Sequence, residues 1–381
     1  MTIDSSMRLA VVGGGVVGLS CAWRAAVDGA RVTLVDAAPG SGASWVAGGM
    51  LAPVTEAWPG EEALLALGVE SVGSWPGFAA RLAEASGRDP GLRADGTVVA
   101  ATGSGDRAEL ETLASYLDGI GRPVQRLSGR ELRRLEPAIG PEVRGGLSVP
   151  DDLAVDNRLL LAALRVAAEQ AGVVFVARNA TAVADDGTRV TGVTCDDGTV
   201  VDTDAVLVAA GAYTSALHPA LDGLVRPVKG EILRLGHRPG AFPAPTRTVR
   251  ALVDGRPVYA VPRDGGGLVI GATQADVGFD REPTVGGVRD LLRDAERVLP
   301  GVAEFALLEV AAGLRPGSPD NLPLIGRIGP TGLLVAGGHH RNGILLAPVT
   351  ADGIVALLRG DEVSGAVRAA DPARVNRKVD A

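Results

Sequence analysis

Short apolar blocks separated by glycine and polar stretches run the length of this chain, and their spacing predicts where strands and helices lie. The first block, residues 8–12 (Arg8-Leu9-Ala10-Val11-Val12), suits a strand buried on both faces. Leu19, Cys21, Ala22, Ala25 and Ala26 then recur at helical spacing as far as Gly29. A second apolar run at 31–35 ends in Asp36. This strand–helix–strand order predicts an α/β unit with a Rossmann-like sheet.

Further on, residues 61–86 read as a helix, 97–100 as a strand and 107–117 as an amphipathic helix with Leu110, Leu113 and Leu117 on one face. Ser128 and Glu131 have the spacing of a capping box and open a short helix that ends before Pro137. Asp156 caps a helix running through Leu160 and Leu164, and Gly172 stops it. Residues 173–177, 190–195 and 205–209 read as strands with Asp-Gly turns at 185–187 and 196–198. This block reads as a return to the first sheet after an insertion, so that sheet draws on separated segments. Residues 225–235, 258–261 and 267–272 predict a second, antiparallel sheet, and 287–299 a helix stopped by Pro300. Arg315 falls in a glycine-flanked turn, 333–336 is a strand, and 348–358 is the last helix. The polar tail after Gly360 is expected to be loosely held. The fold class is therefore α/β, or α+β overall.

Chemistry enters at Gly13-Gly14-Gly15-Val16-Val17-Gly18, which matches G-x-G-x-x-G directly between strand and helix. Gly13 permits the tight turn, Gly15 lets backbone approach a pyrophosphate, and Gly18 lets helix lie close on strand. The helix start offers free N–H donors to phosphate. Asp36 follows Gly15 by about twenty residues, the distance at which an acid meets a ribose hydroxyl. Its charge opposes a 2′-phosphorylated cofactor and leaves NAD and FAD both open. Ser44 lies in a small-residue loop with no His or Lys pattern beside it, which disfavours a nucleophile.

With 381 residues, 46% of them hydrophobic, the chain has material for two domains. A net charge of -8 without a dense basic cluster disfavours nucleic acid or an anionic membrane as partner. Arg133-Arg134 and residues 374–378 are read as solvated surface. Two cysteines, Cys21 and Cys195, read as buried thiols of a reducing compartment, and four histidines show no metal-ligand spacing. Arg8 and the apolar residues after it imitate a secretory signal, but the glycine spacing accounts for them better. No apolar run reaches the roughly 18 residues of a membrane span. A soluble, cytoplasmic protein is expected.

Several separated segments together resemble the FAD-dependent glycine oxidases of thiamine synthesis, a branch of the D-amino-acid oxidase-like flavoproteins. They are residues 11–18 (V-V-G-G-G-V-V-G), 42–53 (G-A-S-W-V-A-G-G-M-L-A-P), 228–231 (V-K-G-E) and 259–263 (Y-A-V-P-R). Residues 267–273 (G-L-V-I-G-A-T), 313–317 (G-L-R-P-G) and 339–348 (H-H-R-N-G-I-L-L-A-P) complete the set, the last being the most specific. The resemblance implies a discontinuous FAD-binding domain at 1–90, 150–225 and 311–381, and a substrate domain at 91–149 and 226–310. Gly13, Gly15, Val16, Val17 and Gly18 would meet the phosphates, Asp36 and Ala37 the adenosine ribose, and Ala43 and Ser44 the pyrophosphate side. Gly48, Gly49 and Met50 would lie along the isoalloxazine ring, and Ala180 at the adenine end. His339, His340, Arg341, Asn342, Gly343, Ile344 and Leu345 would wrap the flavin's pyrimidine edge from the start of the last helix, whose dipole suits reduced flavin.

For the substrate, the resemblance implies that Arg315 pairs with an amino-acid carboxylate, Tyr259 adds a hydroxyl and Arg341 lines the same pocket with Met50 and Ala52. The implied reaction converts glycine, and sarcosine or small D-amino acids, to glyoxylate, ammonia and hydrogen peroxide through an imine, with dioxygen as acceptor. No side-chain acid or base is then obligatory. A thiazole-forming enzyme as partner and a homotetramer are also implied. Two positions depart from the family: Pro257 stands where a histidine is frequent, and Ala52 where glycine is. The residues themselves leave open a dehydrogenase using another electron acceptor and a flavin-binding sensor without turnover. Arg315, Tyr259 and Arg341 together speak against the sensor.

Overall fold

The computed structural model describes residues 2–376. Its first sheet has six strands in the order Leu324–Arg327, Leu333–Gly337, Ala205–Val208, Arg8–Val12, Arg31–Val35 and Val174–Val176. All neighbours are parallel except the antiparallel edge strand Leu324–Arg327. Side chains alternate across the central strand as the pleat requires. Leu9 and Val11 enter a core built with the helices Val16–Val27, Glu62–Ser86, Asn157–Gln170 and Ala347–Arg359. Ala10 and Val12 enter a second core beneath a small antiparallel sheet, Ala180–Asp185, Val190–Cys195 and Val200–Asp202. Burial on both faces is why this strand reads as an unbroken apolar run.

The larger sheet has eight strands, ordered Ala306–Gly317, Arg226–Gly236, Leu268–Gly271, Arg256–Pro262, Thr248–Val253, Thr97–Ala101, Gly145–Val149 and Gln125–Ser128. It is antiparallel apart from one parallel pairing, Thr248–Val253 with Thr97–Ala101. Helix Val285–Val298 covers one face, placing Leu291, Ala295 and Val298 against Leu233, Ile270 and Val249. On the opposite face helix Ser104–Gly119 packs Leu110 and Ala114 on Val99, Ala101 and Leu147, and the remainder is left for a cavity. Strand Ala306–Gly317 crosses the expected boundary at residue 311 and lies wholly in this sheet.

Local signals mostly hold. Ser128 and Glu131 form both capping-box bonds, and Asp156 accepts from the N–H groups of Arg158 and Leu159. Four expectations are corrected. Arg315 sits near the end of a long strand, because residues 306–317 pair along the whole of 226–236 and the glycines pack under other side chains instead of turning the chain. Strand Val190–Cys195 does not return to the first sheet; it pairs with Ala180–Asp185, which carries alternating small residues too weak in pattern to announce a strand. The chain after Gly360 is held, since Val367 packs into the notch left by Gly353 and Ala370 is buried. Arg374 is no solvated cation: it pairs with Asp320 at 3.0 Å and donates to the Leu322 carbonyl. Arg377 and Lys378, the remainder of that basic patch, lie outside the described residues.

Helix Val16–Val27 lies against the first strand at glycine distance. A Cβ on Gly18 would come 1.9 Å from the Gly13 carbonyl oxygen, a backbone atom that cannot swing away. Gly18→Ala should therefore cost about 1–3 kcal/mol of stability as the helix is pushed off the strand. Thermal or urea unfolding checks this; a variant as stable as the parent would mean the helix shifts freely.

Candidate active site

A cavity of about 1170 Å³ is lined from both large sheets. That exceeds the 300–1,000 Å³ typical of a drug-sized ligand and suits a long cofactor with a substrate beside it. One end is built by the glycine turn. Gly13 has φ +104°, and a Cβ there would lie 2.4 Å from the Ala209 carbonyl oxygen. Helix Val16–Val27 begins at Gly15 with no side-chain cap, which leaves N–H donors facing the cavity. Ser44 Oγ accepts from the Val16 N–H at 3.0 Å. Asp36 accepts from the N–H groups of Gly14 (2.6 Å) and Ala38 (2.7 Å), so the acid and the glycine turn are tied together. Ala37, Ala43, Val17 and Ala180 complete this wall.

The middle of the cavity is walled by Gly48, Gly49, Met50, Ala52 and Ile344. Here backbone packs where a side chain cannot fit: a Cβ on Gly48 would lie 2.8 Å from the Tyr259 ring. Tyr259 in turn covers Gly271, where a Cβ would meet its ring and hydroxyl at 2.3 Å. Burial pushes the Tyr259 phenol above its ordinary pKa, so it stays a neutral hydroxyl. Arg315 lies over Gly230, and its Nη1 donates to the carbonyls of Thr273 (3.1 Å) and Lys229 (3.4 Å). Among the described residues nothing takes its Nε or Nη2, which leaves one edge of the guanidinium for the cavity.

The segment after Gly338 meets this end. His339 is buried with Nε2 3.0 Å from Thr350 Oγ1, and burial pulls its pKa down to about 4. His340 adopts φ +48° and is also lowered to about 4, by burial and then by Arg341 and Arg315. Both are neutral at pH 7. Arg341 is ion-paired, its Nε 2.8 Å from Glu56 Oε2. Asn342 and Gly343 line the cavity as well. The last helix begins at Ala347, one residue before the expected start at 348, and a 3₁₀ turn at His340–Asn342 lies just ahead of it. Two expected contacts are not brought to the cavity wall. Gly18 faces the first strand, and Leu345 turns inward, its carbonyl accepting from Ser71 Oγ (2.6 Å) and Trp75 Nε1 (2.9 Å).

Four residues at the site carry no role in the sequence reading. Glu56 and Arg250 form a 2.8 Å pair at the polar end. Arg263 and Asn157 hold the 44–49 loop: Arg263 Nη2 donates to the Gly48 carbonyl at 2.7 Å, and Asn157 Nδ2 to those of Ser44 and Trp45. Arg263 stood inside the Y-A-V-P-R segment, a charge closing an apolar strand, and that was its only signal. Arg250 was visible only as a lone cation between Val249 and Ala251.

The chain matches the FAD dependent oxidoreductase family (DAO) over residues 8–357. It belongs to that family, and is an FAD-dependent amino-acid oxidoreductase. It is 34% identical to glycine oxidase of Geobacillus kaustophilus (strain HTA426) over 356 residues, 90% of each chain. The crystal structure of glycine oxidase from Geobacillus kaustophilus superposes with a TM-score of 0.86, covering 94% of this chain and 96% of that one at 33% identity. The bifunctional protein ThiO/ThiG of Trichormus variabilis (strain ATCC 29413 / PCC 7937) is 32% identical over 352 residues, which span 90% of this chain and 51% of that protein. The iminodiacetate oxidase of Chelativorans sp. BNC1 has a TM-score of 0.85 at 26% identity, covering 96% and 99%. The glycine cradle and the uncapped helix start fit the flavin nucleotide that this family uses. Among the described residues no helix is long and apolar enough to cross a membrane.

The buried histidines make stability depend on pH. His339 binds its proton less readily in the fold (about 4) than in the unfolded chain (6.5), so stability falls as pH drops through that window. His339→Gln removes this share. The gap in unfolding free energy between parent and variant should shrink by about 1–3 kcal/mol from pH 7 to pH 4.5. Paired urea titrations at the two pH values measure it, and a constant gap would refute the assignment.

Proposed function

We propose that the protein oxidises glycine to glyoxylate, ammonia and hydrogen peroxide, and likewise sarcosine to glyoxylate and methylamine or small D-amino acids to their 2-oxo acids and ammonia, the glycine imine being available for the thiazole of thiamine. The observation that carries this reading is the convergence of a half-free guanidinium, Arg315, and the Tyr259 phenol, which has no hydrogen-bond partner among the described residues, on one end of a cavity whose other end is a phosphate-type glycine turn. The ThiO/ThiG relative supports a thiazole-forming partner. Gly13, Gly15, Val16 and Val17 would hold the phosphates, Asp36 and Ala37 the ribose, Ala180 the adenine end, and Gly48, Gly49, Met50 and residues 339–344 the ring.

FAD, when bound, supplies the hydride acceptor. Everything else falls to the chain. Arg315 presents two N–H groups to the substrate carboxylate while the Thr273 carbonyl keeps it from rotating. Tyr259 donates a neutral hydroxyl to the same carboxylate. The α-carbon is thereby held toward the ring wall at Gly48 and Met50. Glu56 is unsuited to act as base: burial favours its protonation, but Arg250 and Arg341 hold it below the ordinary carboxylate range with both oxygens engaged. Neutral His339 and His340 add no positive charge against the amine. The amine must therefore arrive deprotonated, with its proton left to solvent. Ala52 and Pro257 narrow the wall beside the substrate, which favours small amines.

Glycine added without oxygen should bleach the oxidised-flavin absorbance of the purified holoenzyme, and admitting air should return the colour with one peroxide per turnover. Recolouring only with a quinone would make it a dehydrogenase; no bleaching by any amine would make it a sensor. Arg315→Ala should lose about 3–5 kcal/mol of transition-state binding in kcat/KM, because a desolvated carboxylate loses its partner. Tyr259→Phe should raise KM with flavin still bound. A near-normal kcat/KM in the first variant, or an unchanged KM in the second, removes that residue from its role.

A further inference from the structure

Residues 228–231 (Val228-Lys229-Gly230-Glu231) carry two buried charges that do not line the cavity. Gly230 and Ile232 do line it, so strand alternation turns Lys229 and Glu231 to the opposite face of the eight-stranded sheet. Each is only 3% exposed. Lys229 Nζ lies 2.6 Å from Asp280 Oδ2 and 3.9 Å from Glu231 Oε1, and it donates to the Glu282 carbonyl as well. Glu231 Oε1 accepts from the Thr284 N–H at 2.7 Å. Thr284 caps helix Val285–Val298, whose positive end suits a carboxylate. Buried charges are tolerated when such partners satisfy them. Apart from each other, these two find their partners on one stretch of chain, residues 273–284.

The near end of that stretch returns to the substrate site. The Thr273 hydroxyl donates to Glu231 Oε2 at 3.1 Å and accepts from the Glu231 N–H at 2.9 Å. Both carbonyls that steady Arg315 belong to this cluster, those of Thr273 and Lys229. Strand Leu268–Gly271 has ended before Thr273, whose own N–H reaches the Glu231 carbonyl only at 3.3 Å. The two hydroxyl bonds are shorter, and they fix the direction in which the Thr273 carbonyl points. We propose that Glu231, with Lys229 behind it, is a positioning residue for the substrate carboxylate, acting through Thr273 on the Arg315 guanidinium from the far face of the sheet. A binding group is only as well placed as the side chains that hold it, and a shift of about 1 Å can cost about a hundredfold in rate.

The inference rests on amino-acid oxidation as proposed above and adds the residues that prepare its carboxylate site. The test uses the purified holoenzyme and acetate, a carboxylate without an amine, with binding read from the flavin spectrum. Thr273→Val keeps the shape of the side chain and removes its hydroxyl. It should raise the acetate Kd about fivefold or more, and slow anaerobic bleaching by limiting glycine to a similar degree. Thr273→Ser restores the hydroxyl and should stay within about twofold of the parent in both measurements. In an Arg315→Ala background, Thr273→Val should slow bleaching by less than about twofold further, because no guanidinium is left to misplace. Glu231→Gln offers an acceptor to only one of Thr284 and Thr273, and should show the same dependence on Arg315; it decides the matter if Thr273→Val does not fold.

Equal losses with and without Arg315 overturn the positioning role, because a general structural defect does not depend on that side chain. A Thr273→Ser variant as impaired as Thr273→Val, or an acetate Kd that Thr273→Val leaves unmoved, overturns it too. In each case glycine still bleaches the parent enzyme. Failure of glycine to bleach the parent, or bleaching undiminished in Arg315→Ala, overturns the proposed substrate reading instead.

Discussion

A buried arginine holds the wall that makes the cavity a cavity. Residues 44–49 run between the two large sheets as the end of a one-turn helix, Ala43–Val46, and an irregular stretch after it, and their carbonyl groups need partners that the segment cannot supply. Arg263, only 8% exposed, reaches across from the eight-stranded sheet to the Gly48 carbonyl and to Asn157 Oδ1. Asn157 turns its amide to the carbonyls of Ser44 and Trp45, and Arg234 donates to the same Oδ1 at 2.9 Å. Burial draws the Arg263 guanidinium down to about 10, which still leaves it charged at neutral pH, with Asp156 at 3.3 Å as its nearest carboxylate. Removing one member would leave the others buried and underpaired, the costly way to break such a network.

This arrangement lets backbone serve as a surface. Gly48 and Gly49 are held so close to Tyr259 and to the Val155 carbonyl that no side chain fits. A flat ring can then be approached by peptide groups alone. Polar chemistry is confined to one end, where Arg315 is steadied by carbonyls and Arg341 by Glu56. Dinucleotide chemistry is confined to the other, where Asp36 braces the turn between Gly14 and Ala38. The two ends belong to different sheets, and the 44–49 loop with the segment after Gly338 joins them.

Much of this was legible locally. The glycine turn, its strand and helix, Asp36 and the capping boxes each depend on interactions within a few residues of chain, or on a strand–turn–helix unit complete in itself. Tyr259 and Arg315 became visible as site residues through the resemblance of scattered segments. Arg250, Glu56, Arg263 and Asn157 were not visible, since each acts on a partner more than 100 residues away or on another strand. The strand character of 306–317 was hidden for a related reason: glycine and proline read as a turn until a neighbouring strand packs over them.

What the amino-acid sequence determined unaided is the periodicity: which runs are buried on both faces, where helices start, and where backbone must come within touching distance of something else. These follow from side-chain volume and local hydrogen bonding. Only the tertiary structure decided which side chains share the cavity face of the larger sheet. Strand order and register set that, and a shift of one residue would have turned Arg250 and Tyr259 to the opposite side. The pairing of charges around Glu56 likewise exists only once two distant segments are brought against that face.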